Sequence, residues 1–330
     1  MKKVLSVLSA LLVSMALFTG CGGSASSGAA QSSSQEASSG DGKLKVGIVQ
    51  LMEHPSLDEI RTAFLDEMET LGYGEDKVEY IYQNGQNDST IMNTICQKFV
   101  GDDVDAIVAI ATSAAQSAAA ATSEIPIVFS AVTDPVAAQL LSDPNAPDGN
   151  ATGTSDAIPT EQIFALADEL TPGIQKYGFI YNLGEVNSVS VITDAKAYLD
   201  EKGIPYEEAT VTTSGEVSQA AQALIDKGVD AIFSPIDNTV AYAMTNLADV
   251  ATSAKIPVYV AADSMVNDGG LATVGVNYTN LGKQTAAMAA KVLEGTPVSQ
   301  IPVEVLDEYS VVVNPDTAAA LGVDVSKYAK

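Results

Sequence analysis

The sequence predicts an α/β protein of two similar lobes, each an open parallel sheet flanked by helices, and three observations carry that prediction. Short β-branched runs alternate with longer amphipathic stretches, as βα units around a parallel sheet require. The alternation occurs twice in succession with the same local motifs. The chain's 330 residues also exceed what one core needs, at roughly 100 to 200 residues per domain.

The first set of strands is expected at Leu44 to Gln50, Val78 to Gln83, Ala106 to Ile110 and Ile127 to Phe129. A second set is expected at Tyr177 to Tyr181, Tyr206 to Val211, Ala231 to Phe233 and Val258 to Val260. Apolar residues at helical spacing place helices at Leu57 to Leu71, Thr90 to Val100, Val189 to Lys202, Val217 to Lys227 and Thr239 to Ala254. The duplication is visible residue by residue. Lys45-Val46-Gly47-Ile48-Val49 parallels Lys176-Tyr177-Gly178-Phe179-Ile180, and Ile125-Pro126-Ile127-Val128-Phe129 is answered by Ile256-Pro257-Val258-Tyr259-Val260. Open parallel sheets place ligands at the carboxyl ends of their strands, so two such edges should face one cleft.

The N-terminus reads as an address. Met1-Lys2-Lys3, an apolar run from Val4 to Phe18 and small residues around Gly20 form a secretory signal pattern, too short to span a bilayer comfortably. Leu17-Phe18-Thr19-Gly20-Cys21 resembles a bacterial lipoprotein signal, in which Cys21 receives lipid and becomes the new N-terminus. Residues 22–42 are almost entirely Gly, Ser, Ala and Gln, a composition suited to a flexible tether. Cys96, beside Ile95 and Phe99 in a helical pattern, is expected to be an inert core thiol.

Composition excludes several function classes. With 16 Lys+Arg against 42 Asp+Glu the net charge is −26, and loss of Lys2 and Lys3 with the signal makes it two units more negative. Nucleic acid is not an expected partner, because such binding rests on clustered Lys and Arg. The same charge repels anionic headgroups and leaves an acyl anchor as the membrane attachment. One His, two Cys and no CxxC cannot supply the usual zinc, haem or iron–sulfur ligands, so neither a cofactor nor a metal is expected. The Gly275 to Lys283 segment is no phosphate loop: its glycine spacing is too long, and Gln284 stands where Ser or Thr should be.

Polar residues collect just beyond the strand ends. In the first lobe these are Gln50, Glu53 and His54, then Gln83 and Asn84, then Thr112 and Ser113, then Ser130, Thr133 and Asp134. In the second they are Asn182, Glu185, Asn187 and Ser188, then Asp237 and Asn238, then Asp263 and Ser264. Capping accounts for any single one about as well as ligand contact does, since Ser, Thr, Asp and Asn are favoured N-caps. The set as a whole fits a cleft between lobes.

Five segments carry a family resemblance: Gln50 to Asp58 (with Glu53-His54-Pro55), Val128 to Pro135, Gly149 to Asp156, Tyr181 to Ser188, and Asp237-Asn238-Thr239. Together, from about Leu44 to near the C-terminus, they resemble the substrate-binding proteins of ABC importers in the tryptophan/tyrosine-binding group. Ser113, where Pro is common, and Gly85-Gln86-Asn87-Asp88 depart from that pattern. The resemblance implies a periplasmic-binding-protein type I fold, two Rossmann-like lobes closing on a ligand. It assigns 43–154 plus about 277–300 to the N-terminal lobe and 155–276 plus about 301–330 to the C-terminal lobe. The chain would cross near Thr154 to Asp156, return near Thr273 to Asn277 and cross again near Ser299 to Val305.

For an amino-acid-like ligand, the chemistry can be apportioned. Arg61, the only arginine, sits in an acidic helix and is expected in solvent, so a carboxylate must instead be held by a helix N-terminus and hydroxyls at Thr112-Ser113 and Ser130 to Thr133. An ammonium would be met by Glu185, Asp237 and Asp156, with Asp263 and Glu53 behind them, while Asn187, Asn238 and Gln50 fix orientation. Phe129, Tyr181, His54 and Tyr278 are the candidates to support a ligand side chain, core packing being the alternative for Phe129 and Tyr181. The expected function is therefore lipid-anchored, extracytoplasmic capture of a small solute by a monomer that delivers it to permease and ATPase subunits. A solute sensor feeding a signalling receptor is the alternative. A hydrolase on the same fold lacks a nucleophile at identifiable spacing from His54.

Overall fold

The computed structural model describes residues 42–306 and 309–328; the expected signal, Cys21 and the tether as far as Asp41 lie outside them. The first lobe begins with β1 (Leu44–Gln50), α1 (Pro55–Thr70), β2 (Val78–Asn84), α2 (Ser89–Gly101), β3 (Ala106–Ile110), α3 (Thr112–Ala121), β4 (Ile127–Ser130) and β5 (Ala151–Ser155). The second holds α4 (Thr160–Leu170), β6 (Tyr177–Asn182), α5 (Val186–Lys202), β7 (Tyr206–Val211), α6 (Val217–Asp226) and β8 (Ala231–Ser234). It continues through α7 (Asn238–Tyr242), α8 (Met244–Ser253), β9 (Val258–Val260), α9 (Asp263–Asn267) and β10 (Ala272–Val276). The remainder is α10 (Tyr278–Leu293), β11 (Glu304–Val305), β12 (Tyr309–Val313) and α11 (Pro315–Leu321).

Two six-stranded sheets result, ordered β2-β1-β3-β4-β5-β11 and β7-β6-β8-β9-β10-β12. All described pairings are parallel except that of β12 with β10. β3 and β4, like β8 and β9, are buried along their whole length, which is why their sequences are continuous apolar runs. Cys96 is buried and has no disulfide partner among the described residues, and burial pushes the thiol up to about 11.

The helices begin and end where their sequences direct. Asp88 caps α2 by accepting from the Thr90 and Ile91 amides at 2.7 and 3.0 Å, and Gly203 ends α5 in the left-handed conformation, φ 67°. α10 lies close on α1: a Cβ on Gly282 would stand 2.5 Å from the Ile60 carbonyl oxygen. The expected helix at 239–254 is instead two, because the chain tightens at Ala243, whose amide bonds the Val240 carbonyl three residues back.

The chain passes between sheets after β5 and after β10. Glu304 and Val305 still pair with Thr154 and Ser155 in the first sheet, and β12 lies in the second. The third passage therefore falls beyond Val305, later than the expected boundary at 300 and 301.

Candidate functional site

Each sheet reverses its build direction between its first and third strands, β1 and β3 in one lobe, β6 and β8 in the other. Crevices open at such switch points, at the carboxyl ends of the strands. A cavity lies there, enclosing about 440 Å³ of space not filled by atoms, its mouth included. Every residue lining it follows a strand: His54, Ser56 and Leu57 after β1; Ala111 and Thr112 after β3; Ala131 and Thr133 after β4; and Asp156 after β5. The other lobe contributes Asn187 after β6; Ile236, Asp237, Asn238 and Ala241 after β8; Ala262, Ser264 and Met265 after β9; and Tyr278 after β10.

The lobes are closed upon one another. Ser56 donates to or accepts from Ser264 at 2.7 Å beside the cavity, and Ser190 donates to Asp134 at 2.7 Å.

On the first lobe's side, α3 begins without a side-chain cap. Ala111, in the N-cap position, has φ 81°, and Ala131 opposite has φ 55°; both are conformations that non-glycine residues adopt at a cost. Ala111 is held by backbone bonds, its N–H donating to the Ser130 carbonyl at 2.9 Å and its carbonyl accepting from the Ala115 N–H at 3.1 Å. The Thr112 hydroxyl is buried and finds no partner among the described residues. An uncapped helix start with a free hydroxyl suits an anion.

Two buried carboxylates line the cavity, Asp156 from the first lobe's β5 end and Asp237 from the other lobe. Asp156 is fully buried, accepts from the Thr133 hydroxyl at 2.8 Å, and is pushed up to about 6 by burial. Asp237 caps α7 through the Val240 amide at 2.8 Å and also accepts from the Asn182 amide and the Ser188 hydroxyl. Burial and then the neighbouring Glu185 carboxylate raise its pKa. None of the cavity's lining residues is Lys or Arg. A positively charged group entering this space would lift the desolvation cost of both acids.

Of the site residues expected from the sequence, Thr112, Thr133, Asp156, Asn187, Asp237 and Asn238 meet at the cavity. The others do not line it, and their hydrogen bonds say why. Gln50 spends its amide on the Met52 carbonyl, Asp58 and Arg61. Arg61 is itself not in solvent: it is half-buried, paired with Asp58 at 3.2 Å and stacked 4.1 Å over the Tyr82 ring. Ser130 sits in the core between the Thr154 and Thr285 hydroxyls. Ser113 lies one residue into α3 and is only half-buried.

Asp134 caps its own loop at the Val136 and Ala137 amides and links to Ser190. Asn182 braces the turn to Gly184 and bonds Thr239; Ser188 serves Asp237. Glu185, expected to meet an ammonium, is a cap: one oxygen accepts from the Thr239 amide and hydroxyl, the other from the Asn238 amide and side chain, all within 2.9 Å. Asp263 packs against Gly275, where a Cβ would come within 2.0 Å of its Oδ1, and burial with the nearby Glu59 pushes it up to about 6. Glu53 faces a separate outer cleft with Gln86, Asn87, Thr213 and Tyr242. Phe129 and Tyr181 are core residues, Tyr181 donating to Glu208 at 2.6 Å, whereas His54 and Tyr278 do line the cavity.

Leu57, Ile236, Ala241 and Met265, which form apolar wall, and Ser56, which meets the sequence-predicted Ser264 across it, escaped the sequence reading. Each lies within a few residues of the polar positions singled out, so position after a strand, not polarity, is the signal that finds them.

Residues 45–329 match the family described as ABC transporter substrate binding protein. The chain belongs to that family. It is a substrate-binding protein of an ABC transporter, with the type I periplasmic-binding fold, and the family's work is solute binding rather than catalysis. The binding protein is 38% identical over 321 residues to a protein named tyrosine-binding protein from Clostridioides difficile (strain R20291), spanning 97% of this chain and 92% of that one. It superposes with a TM-score of 0.83 on a Streptococcus pneumonia ABC domain in complex with L-Trp, 35% identical, over 86% of this chain and 96% of that one. With the ligand-free, open structure of a Clostridium difficile substrate binding protein with adhesive properties the TM-score is 0.68, at 40% identity, over 85% of this chain and 95% of that one. The better superposition on the liganded relative, despite its lower identity, accords with the contacts between lobes at Ser56 and Asp134. No helix among the described residues is long and apolar enough to cross a membrane.

Proposed function

We propose that this binding protein captures an aromatic amino acid outside the cell and hands it to the permease and ATPase subunits of an importer. One observation carries the reading: a single cavity holds an uncapped helix start with a hydroxyl unpaired among the described residues, at Thr112, together with two buried carboxylates, Asp156 and Asp237. A zwitterion fits such a space. Its carboxylate takes the α3 amides and Thr112, and its ammonium takes Asp156, which has the fewer internal hydrogen bonds of the two acids. Asn187 and Asn238 orient the ligand, and Leu57, Ile236, Met265 and Tyr278 enclose its side chain. The relatives named for tyrosine and solved with L-Trp support an aromatic ligand.

The two sheets are the moving bodies, hinged where the chain passes between them, and the ligand biases closure by binding the closed form better than the open one. A lipid on Cys21 and the tether up to residue 42 hold the protein at the outer face of the membrane, where a monomer suffices. The test is a thermal-shift screen against the common amino acids, followed by isothermal titration. A ligand at 100 times its Kd stabilises by about 2.7 kcal/mol. A selective shift with tyrosine or tryptophan is expected; a shift with sugars or nucleosides and none with amino acids overturns the proposal.

A further inference from the structure

Three buried polar atoms of the cavity have no partner among the described residues: Thr112 Oγ1, Asn187 Oδ1 and His54 Nε2. The first two fall to the backbone groups of an amino acid in the arrangement above. His54 is left over, and its local structure does not explain it. It occupies the N-cap of α1 yet makes no capping bond, and the next residue, Pro55, has no amide to receive one. Burial lowers its pKa, with Asp268 and Asp58 opposing the shift, so the imidazole is held neutral. A neutral imidazole presents one nitrogen as an acceptor.

His54 also shares a wall with the apolar part of the cavity. Leu57 lies one turn along α1, and Ser56 bonds Ser264, which brings Met265 of α9 to the same side. The ligand's side chain, not its charged end, belongs here. A buried acceptor among apolar groups rewards a ligand that brings a donor and penalises one that leaves it unpaired.

We propose that His54 is the residue that selects the ligand's ring: its Nε2 accepts a hydrogen bond from a ring O–H or N–H, so the site prefers the phenol of tyrosine to the bare phenyl of phenylalanine. The proposal rests on the aromatic amino acid reading. It is tested by titrating the wild-type protein, His54→Leu and His54→Gln with tyrosine and with phenylalanine. Wild type should bind tyrosine about 10- to 100-fold more tightly than phenylalanine. His54→Leu should bring that ratio near 1 while keeping phenylalanine binding, and His54→Gln, which returns a hydrogen-bonding group, should restore part of it. A ratio unchanged in His54→Leu, or near 1 in the wild type, overturns the proposal.

His54 is the only histidine in the chain, so the wild type supplies an independent readout. In a nitrogen-15 spectrum, the Nε2 resonance should move more on adding tyrosine than on adding phenylalanine. Equal movement overturns the proposal even if His54→Leu fails to fold. Failure of the wild type to bind either amino acid sinks the aromatic reading itself, a result distinct from binding both alike.

Discussion

The two lobes are copies at the back and opposites at the front. Behind the sheets, the Lys45 amide donates to Asp105 at 2.7 Å and the Asp105 amide returns to the Lys45 carbonyl at 2.8 Å. Lys176 and Asp230 repeat this at 2.9 and 2.8 Å. At the ligand edge the third strand of each sheet leads into a helix, α3 or α7. α3 starts after Ala111 with no side-chain cap and a Thr112 hydroxyl that has no partner among the described residues, whereas α7 is sealed by Asp237 and by Glu185 together. A duplicated scaffold keeps its joints alike because folding needs them in both halves. The halves diverge where a ligand with two unlike ends must be received.

The largest break in that comparison is Glu185→Ala. It removes the acceptor for four donors at the start of α7, and buried donors left without partners cost about 1–3 kcal/mol each, partly offset as the repulsion on Asp237 is relieved. We expect a loss of about 3 kcal/mol in urea unfolding. A loss under about 1 kcal/mol would mean that the second carboxylate is not what seals the helix.

Asp156→Asn comes next and tests the acidic side. The ordinary carboxyl value of 3.8 rises to about 6 in the fold, so between those pH values the native state binds more protons than the unfolded one. The contribution of Asp156 to ligand-free stability should therefore be fullest below pH 4 and be lost through pH 6, on the order of 3 kcal/mol, with Asp263 contributing in the same window. The Asn variant should flatten its share of that slope. An ammonium beside Asp156 favours the ionised form, so binding should release a proton and tighten as pH rises across the window. In the Asn variant affinity should drop about 100-fold near pH 7. Proton release unchanged in calorimetry would move the ammonium elsewhere.

Thr112→Val tests the open helix start. The hydroxyl has no partner to lose, so stability should change by less than about 0.5 kcal/mol while affinity falls roughly 10-fold, the worth of a hydrogen bond to a charged group. A stability loss without an affinity loss would make Thr112 a structural residue and the ligand edges of the two lobes alike.

What the sequence disclosed follows the same division. The repeated Lys-x-Gly and Ile-Pro motifs located β1, β4, β6 and β9, and the apolar runs after Asp105 and Asp230 located β3 and β8, because parallel core strands are apolar on both faces. β5, β10 and β11 are short or glycine-containing, with Gly153, Gly275 and only two residues in β11, and gave no comparable signal. At the site, polar residues after strands were easy to find, but capping and ligand contact use the same residue types. Thr112 and Glu185 were equivalent on paper. Only the hydrogen bonds separate them: Glu185 turns to Thr239 in the βα turn of the neighbouring strand β8, 54 residues on, and the Thr112 hydroxyl finds no partner among the described residues. The apolar wall was hidden for the opposite reason, since Ile236 and Met265 look like core.

The smallest effect concerns closure itself. Ser56 and Ser264 meet at 2.7 Å from opposite lobes, and Ser190 reaches Asp134 at the same distance, yet neither bond is part of either lobe's interior. Removing one, as Ser190→Ala, should leave each lobe intact and shift only the balance between open and closed forms. A single neutral-to-charged bond of this kind is worth about 1 kcal/mol after solvent exchange, so affinity should fall about 3- to 5-fold, mainly through faster ligand release. Stability without ligand should not move beyond about 0.5 kcal/mol. Because closure serves both ends of the ligand, the loss should be the same factor for every ligand that binds, unlike that of Thr112→Val or Asp156→Asn. A loss that differs between ligands would place Ser190 in recognition rather than in the latch.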